Sequence, residues 1–274
     1  MSAFTESDIE NYYNQMVEVY REIWDPQIHT GYFLAPDDSL EQACHRMNTH
    51  LANLAGITKD AHILSVGCGQ GGADRFLTQQ LGATVVGIDL SEKQLDQART
   101  TAAEQGLSIT YIHASMTELP VADESFAYVW IQQSLFLCPH KDKAVSEIAR
   151  VLQPNGIAVV EDMVLEKPEA KTEVLAGFGQ RVKINDLHTV DQYLELFERY
   201  GFNALRVDNL TDHFSKTFAI VSASIKSKLD KIDHLVPVEH RARLDIEHGF
   251  ARSAQLAADG KLGCSAFVFR KSAL

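Results

Sequence analysis

The stretch VGCGQGG at residues 66–72 does most to limit what this chain can fold into. It sets Gly67, Gly69 and Gly72 in a GxGxxG frame, directly after the apolar run HILSVG (62–67) and directly before a helical pattern at about 72–81. Glycines in that place let the backbone turn tightly and let a ligand touch it. The next apolar run, TVVGID (84–89), ends on Asp89, about 20 residues on, where a carboxylate can accept hydrogen bonds from two ribose hydroxyls. Strand, glycines, helix, strand and acid, in that order, specify an αβ unit that binds an adenosine-type ligand.

The frame alone leaves nicotinamide dinucleotides and S-adenosylmethionine both open, and one local charge separates them. A dinucleotide lays its pyrophosphate on the N-terminus of the helix after the loop, where backbone N–H groups and the dipole favour anions. Asp74 falls in that first turn; it suits the dipole but would repel a diphosphate. The ammonium and sulfonium of S-adenosylmethionine tolerate such an acid.

The same alternation continues down the chain. ITYIHA (109–114), FAYVWIQ (126–132) and IAVVEDMV (157–164) read as further strands, with helices at 91–105 and 141–152 and a turn at Gln153–Gly156, the signature of a parallel sheet wound with crossover helices. Before it, two helices are expected. Ser7 with Glu10 makes a capping box for one that carries Ile9, Tyr13, Met16, Tyr20 and Ile23 and ends at Pro26; Ser39 with Gln42 makes another, stopped by Gly56. After it come a helix at 189–200, a strand at 203–208, helical stretches at 212–230 and 237–258, and a last strand, CSAFVFR (264–270). The apolar stripes Phe214, Phe218, Val221 and Ile225, then Leu244, His248 and Ala251, suit a cap that also closes a pocket. The expected division is an N-terminal helical segment at 1–58, a cofactor-binding core at 59–210, an inserted cap at 211–262 and a final core strand at 263–274.

Composition narrows the partners. With 25 Lys and Arg against 37 Asp and Glu, the net charge is -12, a sign that repels phosphate backbones and anionic headgroups. Nucleic acid is not expected, nor a membrane span, since no run reaches about 18 apolar residues without a charge. The start MSAFTESDIENYY lacks the blocks of a signal peptide, so a cytoplasmic location is expected. Cys44, Cys68, Cys138 and Cys264 are scattered without metal spacing, which predicts reduced thiols and no metal site.

The motifs ILSVGCGQGGADRFL, VVGIDLSEKQLDQAR and LPVADESFAYVWIQQSLFLCPH with EIARVLQPNG resemble the class I S-adenosylmethionine-dependent methyltransferases. YYNQMVEVYREIW, HTGYF and GKLGCSAFVFRK are similar to the small-molecule branch, which acts on sarcosine or dimethylglycine, phosphoethanolamine, tocopherols, sterols or prenyl diphosphates. The resemblance implies a doubly wound α/β fold, Rossmann-like, with a mostly parallel seven-stranded sheet, an antiparallel last strand and a helical cap. It assigns Gly67, Gly69 and Gly71 to the methionine part of S-adenosylmethionine, Asp89 to the ribose, and Leu90, Ser115 and Met116 to the adenine. Gln132 and Gln133 would flank the sulfonium and the substrate. Two departures stand out: Ser115 where many relatives have an acid, and Leu137 where many have a histidine.

Methyl transfer from a sulfonium is an in-line displacement that rests on placement and water exclusion. His29 and His140, beside ligand-end loops, are the candidate bases, with His213 a weaker third. Tyr12, Tyr13, Tyr20, Trp24, Tyr32 and Phe33 are the candidate substrate contacts, as rings that could face a methylated ammonium, with Tyr12, Trp24 and Tyr32 favoured. One carboxylate of Glu161–Asp162 is expected to face substrate. A small-molecule acceptor, an amine or a lipophilic metabolite, follows, and a homodimer stays open. The competing readings are a nicotinamide-dependent oxidoreductase and a methyltransferase-like protein that keeps its cofactor for a cyclisation or a binding role.

Overall fold

The computed structural model describes residues 3–24, 27–235 and 246–273. Seven strands form one sheet in the order β3-β2-β1-β4-β5-β7-β6. They are β1 (His62–Val66), β2 (Thr84–Asp89), β3 (Thr110–His113), β4 (Phe126–Gln132), β5 (Leu152–Leu165), β6 (Phe202–Asn209) and β7 (Leu262–Lys271). The first five pair in parallel, while β7 runs antiparallel between β5 and β6. The strand order reverses beside β1, between β1 and β4, which opens a crevice at the carboxyl ends of β1, β2 and β4.

Alternation along the central strands feeds two cores. Ile63, Val85, Trp130 and Val159 pack on one face with α2 (Leu40–Ala55) and α3 (Gly72–Leu81). Their neighbours Leu64, Val129, Ile131 and Val160 pack on the other with α5 (Lys141–Val151) and α8 (Val190–Arg199). The helix α4 (Glu92–Glu104) closes a smaller cluster on Tyr111. Strands buried on both faces read as continuous apolar runs, which is why the sequence marks them so clearly.

The first core continues into helices from both ends of the chain: α1 (Glu6–Trp24), α9 (Thr211–Leu235) and, after the undescribed 236–245, α10 (Ile246–Ala258). Phe214, Phe218, Val221 and Ile225 form a fully buried stripe on α9, meeting Trp24 of α1 and Phe250 of α10. Each such side chain contributes about 1.5–3 kcal/mol by leaving water. A cap held this way is continuous with the core.

Several local expectations change. The capping box of α1 is Thr5 with Asp8, not Ser7 with Glu10: the Thr5 N–H donates to Asp8 Oδ2 at 2.8 Å and the Asp8 N–H to Thr5 Oγ1 at 3.3 Å. The helix therefore begins two residues earlier than the sequence suggests. Ser39 and Gln42 do form their reciprocal box, and Gly56 caps α2 in the left-handed region. Residues 168–182, read as no element, coil through Pro168–Ala170, α6 (Lys171–Val174), Leu175–Gly179 and α7 (Gln180–Val182). Broken turns of mixed pitch carry no sustained 3.6-residue period, so pattern reading passes over them. Pro26 and Leu244, and the expected helix start at 237, lie outside the described residues. No described helix is long and apolar enough to cross a membrane.

Candidate active site

The crevice at the strand ends deepens into a cavity of about 1310 Å³ of empty space, counting its open mouth, roofed by α1 and reaching under α9. The glycine loop makes one wall. Gly67 (φ +70°) lies so close to the turn after β4 that a Cβ there would come within 2.3 Å of Ser134 Cβ. Ser134 Oγ in turn donates to the Val66 carbonyl at 2.8 Å. The Gly67 and Cys68 N–H groups both donate to the Ile88 carbonyl, tying the loop to β2.

Asp89 ends β2 on this wall. Its Oδ2 accepts from the Gly69 N–H and its Oδ1 from the Ser91 N–H, each at 2.8 Å. Each oxygen thus has one lone pair held and one left for a ligand. Burial pushes its carboxyl above the usual carboxylate range, against the backbone N–H groups of Ser91, Gly69 and Leu90, which lower it. Leu90, Ser115 and Met116 line the next stretch of the cavity. Ser115 Oγ donates to Glu6 Oε1 at 2.8 Å, so α1 brings an acid to the place where the β3 loop has a serine. With Glu6, Glu10 and Asp89 on its lining, this end is acidic.

The β4 end contributes a fixed amide chain. The Trp130 indole can only donate, so Gln132 Oε1 accepts from it at 3.2 Å. Gln132 Nε2 then donates to Asn48 Oδ1 and Asn48 Nδ2 to Gln27 Oε1. Gln133 follows with φ +49° and lines the cavity; its Nε2 donates to Thr30 Oγ1 and to Glu161 Oε1. Non-glycine residues rarely take this conformation, and it costs of order 1–3 kcal/mol. Here the Gln133 N–H donates to the Glu161 carbonyl at 2.7 Å, which holds the turn.

A methyltransferase-domain family matches residues 64–160, the β1–β5 part of this arrangement. The chain is 31% identical to the methyltransferase GfsG of Streptomyces halstedii over 77% of its own length and 78% of that protein's. It is 30% identical to the (+)-O-methylkolavelool synthase of Herpetosiphon aurantiacus, over 85% and 83%. It belongs to the S-adenosylmethionine-dependent methyltransferases. In three dimensions the methyltransferase overlays a provisionally assigned sarcosine dimethylglycine methyltransferase from Galdieria sulphuraria with a TM-score of 0.85 and 26% identity. That overlay covers 96% of this chain and all of the other.

Of the residues nominated from sequence, the cavity brings together Gly67, Gly69, Asp89, Leu90, Ser115, Met116, Gln132, Gln133, His29, Tyr13, Tyr20 and Trp24. Gly71 is not on the lining: it caps α3 with φ +70°, and a Cβ there would meet the Tyr111 hydroxyl at 2.2 Å. Asp74 is also turned away, fully buried behind the loop beside Gly87, where burial pushes its pKa up to about 6. Its charge therefore does not meet the ligand directly; the acidic rim of Glu6, Glu10 and Asp89 takes over the argument against a diphosphate.

The nominated bases fare differently. His29 is buried on the lining, with Nδ1 at 2.9 Å from the Thr30 carbonyl and Nε2 at 3.2 Å from Gln27 Oε1. Two acceptors favour a charged ring, but burial opposes it and pushes the pKa down to about 4. A neutral ring of that basicity is a weak proton acceptor near pH 7. His140 is exposed at the start of α5, and His213 stacks on Tyr32 at 4.3 Å; neither lines the cavity.

Two favoured rings are elsewhere. Tyr12 is buried behind the lining, its hydroxyl 3.0 Å from that of Tyr20. Tyr32 is sandwiched between His50 and His213. Their helix and loop neighbours Tyr13, Tyr20 and Ile28 line the cavity instead. Neither carboxylate of Glu161–Asp162 lines it, because both are fully buried in the sheet. Sequence reading missed Glu6, Arg181 and Phe218 as cavity residues. The acid in the first turn of α1 was a legible signal for the first, since Ser115 stands where an acid is expected; Arg181 sits in the segment that had no readable pattern.

Proposed function

We propose that the methyltransferase holds S-adenosylmethionine against the ends of β1, β2 and β4 and delivers its methyl group to a small organic acceptor seated under α1 and α9. The observation that carries this is Asp89: a half-buried carboxylate on the cavity lining with each oxygen held by a backbone N–H and able to accept again. Two adjacent ribose hydroxyls match that pattern. Glu6 beside Ser115 suits the adenine amine, and Leu90 with Met116 supplies an apolar slot for the ring. The acidic rim favours a ligand without phosphates. When bound, S-adenosylmethionine supplies an activated methyl on a sulfonium, displaced in line by the acceptor.

The chain's own part is placement. Trp130, Gln132 and Gln133 present fixed side chains at the β4 end, and Tyr20, Trp24 and Phe218 line the acceptor side with aromatic surface that excludes water. His29 is neutral and His140 lies outside the lining, so the step needs an acceptor that arrives ready to attack, or one whose proton leaves through water. The O-methyl group in the name of the Herpetosiphon relative supports an oxygen acceptor.

Calorimetric titration with S-adenosylhomocysteine tests the site. The wild-type protein should bind it saturably, and Asp89→Ala should weaken binding by about 1–3 kcal/mol, the cost of leaving buried hydroxyls without an acceptor. Unchanged affinity rejects this placement. Incubation with methyl-labelled cofactor and metabolite fractions, read as label transfer together with S-adenosylhomocysteine release, tests the chemistry.

A further inference from the structure

Arg181 is the only lysine or arginine among the described residues lining the cavity. It enters from α7 and is only 9% exposed. Its stem lies on Gly249, where a Cβ would come within 2.7 Å of Arg181 Cδ, and its guanidinium stacks over Phe250, 4.1 Å from the ring centroid. Nη1 donates to the Tyr12 hydroxyl at 3.3 Å. Nε is buried with no acceptor, and no carboxylate among the described residues pairs with the group.

Buried arginines almost always answer to an anion, because an uncompensated charge away from water is costly. The Phe250 face and the Tyr12 phenol offset part of that cost but leave Nε without an acceptor. A guanidinium on the lining with no anion beside it suits the charge and planar shape of a carboxylate. Tyr20, Trp24 and Phe218 surround the same part of the cavity with apolar surface.

From this we infer that the acceptor is an organic acid: its carboxylate docks against Arg181 and its apolar body lies on the aromatic wall. The same guanidinium repels a purely cationic acceptor, so the rings do not serve as a cage for an ammonium group alone. The inference rests on the cavity being the cofactor and acceptor site.

The test uses the full chain saturated with S-adenosylhomocysteine and titrated with 3-phenylpropionate and with 3-phenylpropanamide, its neutral isostere. The acid should bind about tenfold or more tightly than the amide, as expected for charge-assisted hydrogen bonds. Arg181→Met, which keeps the stem, should bring the two affinities together, and Arg181→Lys should keep part of the preference. An acid that binds no better than the amide in the wild type, or a preference that survives in Arg181→Met, overturns the inference. Should Arg181→Met not fold, the wild-type ratio and Arg181→Lys decide it. Failure of S-adenosylhomocysteine to bind brings down the reading of the cavity itself; binding without any preference for the acid brings down the anion site alone.

Discussion

At the end of the cavity proposed for the cofactor, Gly67, Gly69, Asp89 and Leu90 all come from one strand–loop–helix–strand unit. At the end proposed for the acceptor, Tyr20 and Trp24 come from α1, Arg181 from α7 and Phe218 from α9. The first wall is fixed by backbone: positive-φ glycines, N–H groups on Asp89 and on the Ile88 carbonyl, and a close approach to Ser134. The second is fixed by side chains packed on one another across more than half the sequence. A backbone-built wall constrains its residues to specific types at fixed spacing. A packed wall asks only for volume and apolarity, with polar groups set into it one at a time, so it can be refitted to new acceptors while the first wall stays the same.

Phe218→Ala is the strongest way to break that contrast. The ring is 1% exposed between Trp24 and Phe214 and also lines the cavity. Truncation should lower unfolding stability by about 3–5 kcal/mol, read by urea denaturation. Affinity for S-adenosylhomocysteine should hold under conditions where the variant is folded. If cofactor affinity falls in step with stability, the two walls are not separable.

The legibility of the chain follows the same division. Strands β1, β2 and β4 and the helices α2, α3 and α5 were readable because each is buried on a whole face and punctuated by caps or glycines. The place of Asp89 on the lining was readable because it ends the strand that follows the glycine loop, at a fixed distance from that loop. Gly71 and Asp74 misled because sequence order shows that a residue is in the loop or its helix, not which side of it faces the ligand. Tyr12 and Tyr13 are adjacent on α1, yet only Tyr13 reaches the lining. A helix turns by about 100° per residue, so an error of one position in the facing angle exchanges core for cavity. Arg181 could not be found at all from local pattern, since its role depends on Gly249 and Phe250, which only the fold brings to it.

The strand ends give a second, smaller contrast. Asp89 faces the cavity, whereas Asp162 at the end of β5 is sealed in, accepting from the Phe136 N–H at 2.7 Å and the Tyr193 hydroxyl at 2.8 Å. Burial, reinforced by Glu161, pushes its pKa up to about 7 despite those donors. The folded state then holds the proton more tightly than the unfolded chain, whose Asp titrates near 3.8. The stabilisation linked to that proton is complete below about pH 3.8 and is lost as pH rises through 7. Relative to Asp162→Asn, the wild type should lose about 1–4 kcal/mol of stability between pH 4 and pH 8, measured from urea midpoints. A difference that stays flat with pH would place Asp162 in contact with water and remove the contrast with Asp89.

The smallest effect concerns how α1 is started, and through it how Glu6 reaches Ser115. Thr5 and Asp8 satisfy each other's backbone N–H groups, whereas Ser7 Oγ only accepts from the Asn11 side chain at 3.4 Å. Thr5→Ala should therefore cost about 1 kcal/mol, the usual worth of an N-cap. Ser7→Ala should fall within about 0.5 kcal/mol of the wild type. Because Glu6 is the first residue of the helix that Thr5 caps, Thr5→Ala should also weaken S-adenosylhomocysteine binding slightly, while Ser7→Ala leaves it unchanged. Reversed stabilities would restore Ser7 as the cap. They would also shift the register at which the packed wall of the acceptor end hands an acid to the backbone-built wall of the cofactor end.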